Sequence, residues 1–155
     1  MNSPQASRLF VSLAFVFLWI TFAGSDSGVA AQTPAGPSKL YVYKGISIGL
    51  TADQVRAKLG DPKDKSKSQD LYVFSDEESA QFVYDSTGAV RAIVLTFSTR
   101  MDNAPTPQDV FGEAVPANED GGISKMVRYP KAGYWISYNR IPGEDGIISV
   151  AIQKI

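Results

Sequence analysis

The side chains that most often carry out chemistry are either absent from this chain or scattered along it. The 155 residues contain no His and no Cys. That excludes the usual zinc ligand sets, haem held by His, and nucleophilic sites of the Cys–His or Ser–His–Asp kind. Carboxylate pairs and a Ser–Lys pair remain as catalytic options. Ser124 and Lys125 are adjacent, but neighbours on a strand point to opposite faces, a poor geometry for proton transfer. Asp76-Glu77-Glu78, Glu119-Asp120 and Glu144-Asp145 all fall where turns are expected, and none has the spacing of an EF-hand loop. Lys63, Lys65 and Lys67 bring a phosphate site to mind. Interleaved with Asp64 and Asp70, they describe a solvated loop instead. The expectation is a protein that is not an enzyme and that has neither cofactor nor metal.

Binding is the chemistry left, and strand alternation says where it would sit. Tyr134, Ile136 and Tyr138 share one face of a strand over 133–139, with Trp135 and Ser137 on the other. Ile93, Leu95 and Phe97, then Ile148, Val150 and Ile152, join the first face together with Phe82 and Tyr84. The opposite face is expected to carry Val73, Val83, Val94, Arg128, Trp135 and Ser149. Trp and Arg are enriched among residues that dominate binding energy, so this mixed face reads as an interaction surface. Its bland alternative is that Trp135 merely covers apolar sheet. The face also shows too little clustered polarity to be a specific small-molecule pocket.

The elements that must position these residues follow from local signals. Thr51 is a good N-cap, and Gln54 completes a capping box. Val55 and Leu59 lie on one helical face, Gly60 gives the stop and Pro62 forbids continuation. Strands are expected over 71–75, 80–85 and 89–97, joined by acidic and Gly-containing turns. The segment 99–107 crosses between halves. Thr106-Pro107 opens a short helix that ends at Phe111-Gly112. Strands over 125–129, 133–139 and 147–154 complete the chain, and residues 39–44 alternate enough for a short edge strand.

Charge and composition set the wider frame. Fifteen Lys and Arg oppose sixteen Asp and Glu for a net charge of −1, which argues against a nucleic-acid binder. With 44% hydrophobic and 11% aromatic residues the chain can fill a core. Arg8, the apolar run from Leu9 to Ala23 and the small residues Val29-Ala30-Ala31 read as a signal peptide over 1–31. The run is about 15 residues, short of the roughly 20 that span a membrane, so no stable span is expected after cleavage. Residues 32–38 are a Pro/Gly/Ser linker. The expected location is the periplasm or the exterior. Without Cys the protein is not a lipoprotein, and no disulfide holds it.

The helix-and-strand pattern recurs at offsets of roughly 50 to 56 residues, giving one unit over 39–98 and a degenerate second over 99–155. The expected fold class is therefore α+β: an antiparallel sheet from two tandem αβββ units, with short helices packed on one face. In the first unit, Ile48-Gly49-Leu50-Thr51, Gln54-Val55, Leu59-Gly60-Asp61-Pro62, Tyr72-Val73-Phe74 and Val83-Tyr84-Asp85-Ser86-Thr87-Gly88-Ala89-Val90 occur in order. This set resembles the SmpA/OmlA family, of which the BamE lipoprotein of outer-membrane barrel assembly is the best-known member. Gly49, Thr51, Leu59, Gly60, Pro62 and Gly88 are its structural motif here. Two such units in tandem are similar to the β-lactamase inhibitory protein fold. The resemblance implies an envelope or secreted protein as partner, with barrel-assembly support as the first role and enzyme inhibition as the second. A small-ligand or peptide-binding module is the alternative of a different class.

Overall fold

The computed structural model describes residues 39–155, so the expected signal (1–31) and linker (32–38) lie outside the described residues. A 3-10 turn, Lys39–Tyr41, comes first, then α1 (Ala52–Leu59), β1 (Asp64–Lys65), β2 (Gln69–Ser75), β3 (Glu78–Tyr84) and β4 (Val90–Ser98). After these come α2 (Pro107–Phe111), β5 (Ile123–Tyr129), β6 (Tyr134–Ile141) and β7 (Ile147–Lys154). All seven strands form one antiparallel sheet in the order β1-β2-β3-β4-β7-β6-β5. Two meanders, β2-β3-β4 and β5-β6-β7, thus meet along their last strands.

This corrects the α+β expectation of two tandem αβββ units. Strand makes up 45% and helix only 13% of the described residues, and the helices are 8 and 5 residues long. The physical reason lies in the stops. Gly60 takes φ +80° after two turns of α1, and Gly112 takes the left-handed conformation after barely one turn of α2. The β-branched and aromatic runs between these stops extend the strands to as many as 9 residues. An added strand, β1, also pairs with β2 inside the segment expected to be a solvated loop.

A second correction concerns residues 39–44. Instead of an edge strand they form the 3-10 turn and then a tight reversal, in which Tyr43 and Ile46 exchange backbone hydrogen bonds of 2.8 Å. Lys44 (φ +47°) and Gly45 (φ +79°) occupy its two central positions, the conformation that a two-residue reversal of this twist requires.

One face of the sheet holds the core. Phe82, Ile93, Leu95, Ile136, Val150 and Ile152 are almost wholly buried there, and each contributes about 2 kcal/mol of burial. Val55 of α1 and Val110 and Phe111 of α2 close over it. β3 and β4 slip register between Val83↔Ala92 and Tyr84↔Val90, leaving Arg91 as an extra, exposed residue. That bulge lets Val90 turn into the core beside the start of α1.

Candidate functional site

The face away from the helices is ordered into three rows by the strand register. The first runs Gln69, Val83, Ala92, Gln153, Trp135, Arg128. Leu71, Gln81, Val94, Ala151, Ser137 and Met126 form the second, and Val73, Ser79, Thr96, Ser149, Asn139 and Ser124 the third. All six residues expected on the open face therefore share it, one from each of the six long strands. Trp135 and Arg128 are direct cross-strand partners. Trp135, Val83, Val94 and Ser149 are partly buried, and Val73 and Arg128 are exposed. Among the described residues, both helices pack on the opposite side.

The third row is a lane of hydroxyl and amide groups across five adjacent strands. Ser124 Oγ donates to Asn139 Oδ1 at 2.7 Å at one end of it. Such clustering was not expected from the sequence, because the five residues are spread from position 79 to position 149 and only pairing register aligns them. The open face is thus more polar in one lane than residue alternation alone suggested. Val73 (52% exposed), Met126 (54%) and Ile141 (59%) stand out of it as isolated apolar groups.

The motif residues do structural work around α1. Thr51 Oγ1 accepts from the Gln54 N–H, and Gln54 Oε1 accepts from the Thr51 N–H, the capping box expected there. Gly49 (φ +92°) donates to the Val90 carbonyl, Val90 donates back to Leu50, and Ala52 donates to Gly88. Two pieces of sequence about forty residues apart are clasped together in this way. Leu59 packs on the core margin, the Gly60 carbonyl accepts from the Tyr72 hydroxyl at 3.0 Å, and Pro62 lies just beyond. Gly88 (φ +80°) turns the chain between β3 and β4. Asp85 Oδ1 accepts from Thr87 and Ala89 in that turn, and these bonds, those from Thr87 foremost, hold its carboxyl below the ordinary range.

A group missed by sequence reasoning is Asp70, which is completely buried. Both its oxygens accept from Arg56 of α1 (2.8 and 3.0 Å), and Oδ2 also accepts from the Tyr84 hydroxyl at 2.8 Å. Burial first, then the bond to Asp70, pushes the Tyr84 phenol far up. Starting β2 at Gln69 would have revealed it, since Asp70 then alternates inward with Tyr72 and Phe74. Glu78 is likewise not a turn residue. It opens β3 and takes the Tyr43 hydroxyl and the Lys44 ammonium, whose Nζ also lies 4.4 Å from the Phe74 ring centroid.

Chemically these charged groups are all consumed by partners within the fold, and they hold elements together. Ser124 points to the open face, whereas Lys125 points to the covered one and pairs with Glu113, so they do not meet. Among the described residues no group of three or more carboxylates is placed to hold a metal ion. No helix among them is long and apolar enough to cross a membrane. Compared with known proteins, the chain matches no family model, no curated protein and no solved structure.

Proposed function

We propose that this is an exported, non-catalytic envelope protein that works by protein–protein interaction through the open face of its sheet. One observation carries the reading: the side chains of six strands converge on a face that neither helix covers, with Trp135 and Arg128 side by side at one end. An aromatic–cation pair flanked by small and polar residues matches the make-up of interface hot spots. The SmpA/OmlA resemblance of residues 45–97 suggests supporting outer-membrane protein assembly or envelope integrity as the specific role. The apolar segment over 9–23 supports export. To test the reading, Trp135→Ala and Arg128→Glu would be compared with the parent protein for recovery of an envelope partner after cross-linking in the host. Loss of that partner from both folded variants is expected. Undiminished recovery would sink the idea.

The polar lane favours a second reading, a module that binds an extended peptide along the row from Ser79 to Ser124. It predicts thermal stabilisation by short peptides, because a ligand bound only to the native state raises its apparent stability. Enzyme inhibition predicts a larger folded partner instead.

A further inference from the structure

The two edges of the sheet are built differently. At one end β1 is only two residues long, and Lys63, Asp64, Lys65, Ser66 and Lys67 around it are all exposed, a short charged strand of the kind that blocks edge-to-edge pairing. At the other end β5 is seven residues long and contains neither Pro nor Gly. Among the described residues β6 is its only hydrogen-bonded neighbour in the sheet. Alternate N–H and C=O groups of β5 therefore face outward, ready for another extended chain.

The sequence of β5 says which chain fits. In an antiparallel pairing with itself, both strands can present outward-facing groups only in registers whose paired numbers sum to an even value. Centring on Met126 uses all seven residues. Ile123 then faces Tyr129, Ser124 faces Arg128, Lys125 faces Val127 and Met126 meets its twin. Centring on Lys125 would set Lys against Lys, and centring on Val127 would shorten the ladder. In the Met126 register no like charges oppose, and β-branched Ile123 meets aromatic Tyr129 on the covered face, a favourable cross-strand pair. Glu113 already neutralises Lys125. The two Arg128 side chains would stand about 14 Å apart along the strands, beyond the Debye length of about 8 Å at physiological salt.

We propose that β5 is a homodimerisation edge, two copies pairing antiparallel about a two-fold axis at Met126 so that one sheet runs through both. This goes beyond the open-face reading and does not depend on it. A single strand pair buries little area, so the dimer is weak and its population depends on concentration.

Sedimentation of the full chain over a wide concentration range is expected to show a monomer–dimer equilibrium. Met126 is 54% exposed, so substitutions there leave the fold intact. Met126→Lys or Met126→Asp places like charges at the axis and is expected to weaken the dimer by roughly fivefold or more. An equimolar mixture of the two variants should restore it. Val73→Lys, at a similarly exposed site (52%) on β2, should change nothing. A chain that stays monomeric at every concentration, or a dimer indifferent to both Met126 variants, would overturn the proposal. Capture of β5 by another protein while the chain itself remains monomeric would overturn it too. Trp135→Ala should leave dimerisation unchanged, which separates this outcome from failure of the open-face reading.

Discussion

Over the β2-β3-β4 half, an eight-residue helix is tied down by polar groups, whereas over the β5-β6-β7 half a five-residue helix is tied down mainly by apolar ones. α1 holds the sheet through the bidentate Arg56–Asp70 pair, the Tyr84 hydroxyl and backbone bonds to the Gly88–Val90 turn. α2 instead sinks Val110 and Phe111 into the core, with the Tyr138 hydroxyl donating to the Pro105 carbonyl nearby. The same three-strand meander is thus closed by two kinds of chemistry. A buried ion pair adds little over an apolar pair of similar volume but fixes where α1 must sit, because a misplaced helix leaves a charge buried alone. Apolar closure tolerates the shorter helix.

Breaking each closure gives the largest effects. Asp70→Ala leaves the buried Tyr84 hydroxyl without its acceptor and removes both Arg56 bonds to β2, and is expected to destabilise by about 2–3 kcal/mol, read from urea unfolding. Phe111→Ala empties the apolar closure and should cost about 3 kcal/mol. Because β4 and β7 pair along seven residues, both variants should lower one shared transition. Separate melting of the halves would contradict the continuous core.

Smaller changes sharpen the contrast. Both helices begin with a complete capping box, Thr51 with Gln54 and Thr106 with Asp109. Thr51→Ala and Thr106→Ala should each cost about 1 kcal/mol in the same unfolding assay. On the apolar side, Tyr134 stacks between Tyr41 and Tyr129, at 4.7 and 5.1 Å between ring centroids, and its buried hydroxyl has no partner among the described residues. Tyr134→Phe should therefore be neutral or stabilising by up to about 1 kcal/mol; a clear loss would reveal a partner. The smallest effect is electrostatic. The Asp85 carboxyl is held below its ordinary value in the folded state. Its contribution is present above the unfolded value and is lost as pH falls through the lower folded one. Carboxyl chemical shifts followed against pH should show Asp85 titrating below the ordinary aspartate value, and Asp85→Asn should flatten the acid limb of stability.

The six long strands, their inward sets and both helix starts could be read from the chain because each rests on local spacing: alternation in 134–138 and 147–152, Thr51 three residues ahead of Gln54, and Thr106 directly ahead of Pro107. What could not be read depends on pairing across distance. The polar lane exists only because Ser79, Thr96, Ser149, Asn139 and Ser124 fall in one register. Asp70 reads as solvated charge in the sequence, but β2 begins two residues earlier than the expected strand, at Gln69, and carries it inward. The α+β class overstated the helices' share: both end where Gly60 and Gly112 put their stops, while the strands run as long as nine residues and one shared sheet takes over the architecture. The six open-face residues fall on one side because period-two alternation holds along each long strand outside the bulge at Arg91, which sets Val90 and Ala92 on opposite faces.

The most direct test puts a photo-crosslinking residue at position 135 on the open face, and in a second protein at position 58 on the outer side of α1, both in the native host. The account predicts a discrete, light-dependent adduct with a different envelope protein from position 135 and none from position 58. Equal labelling from both positions, or no adduct from 135 in a folded protein, would contradict it.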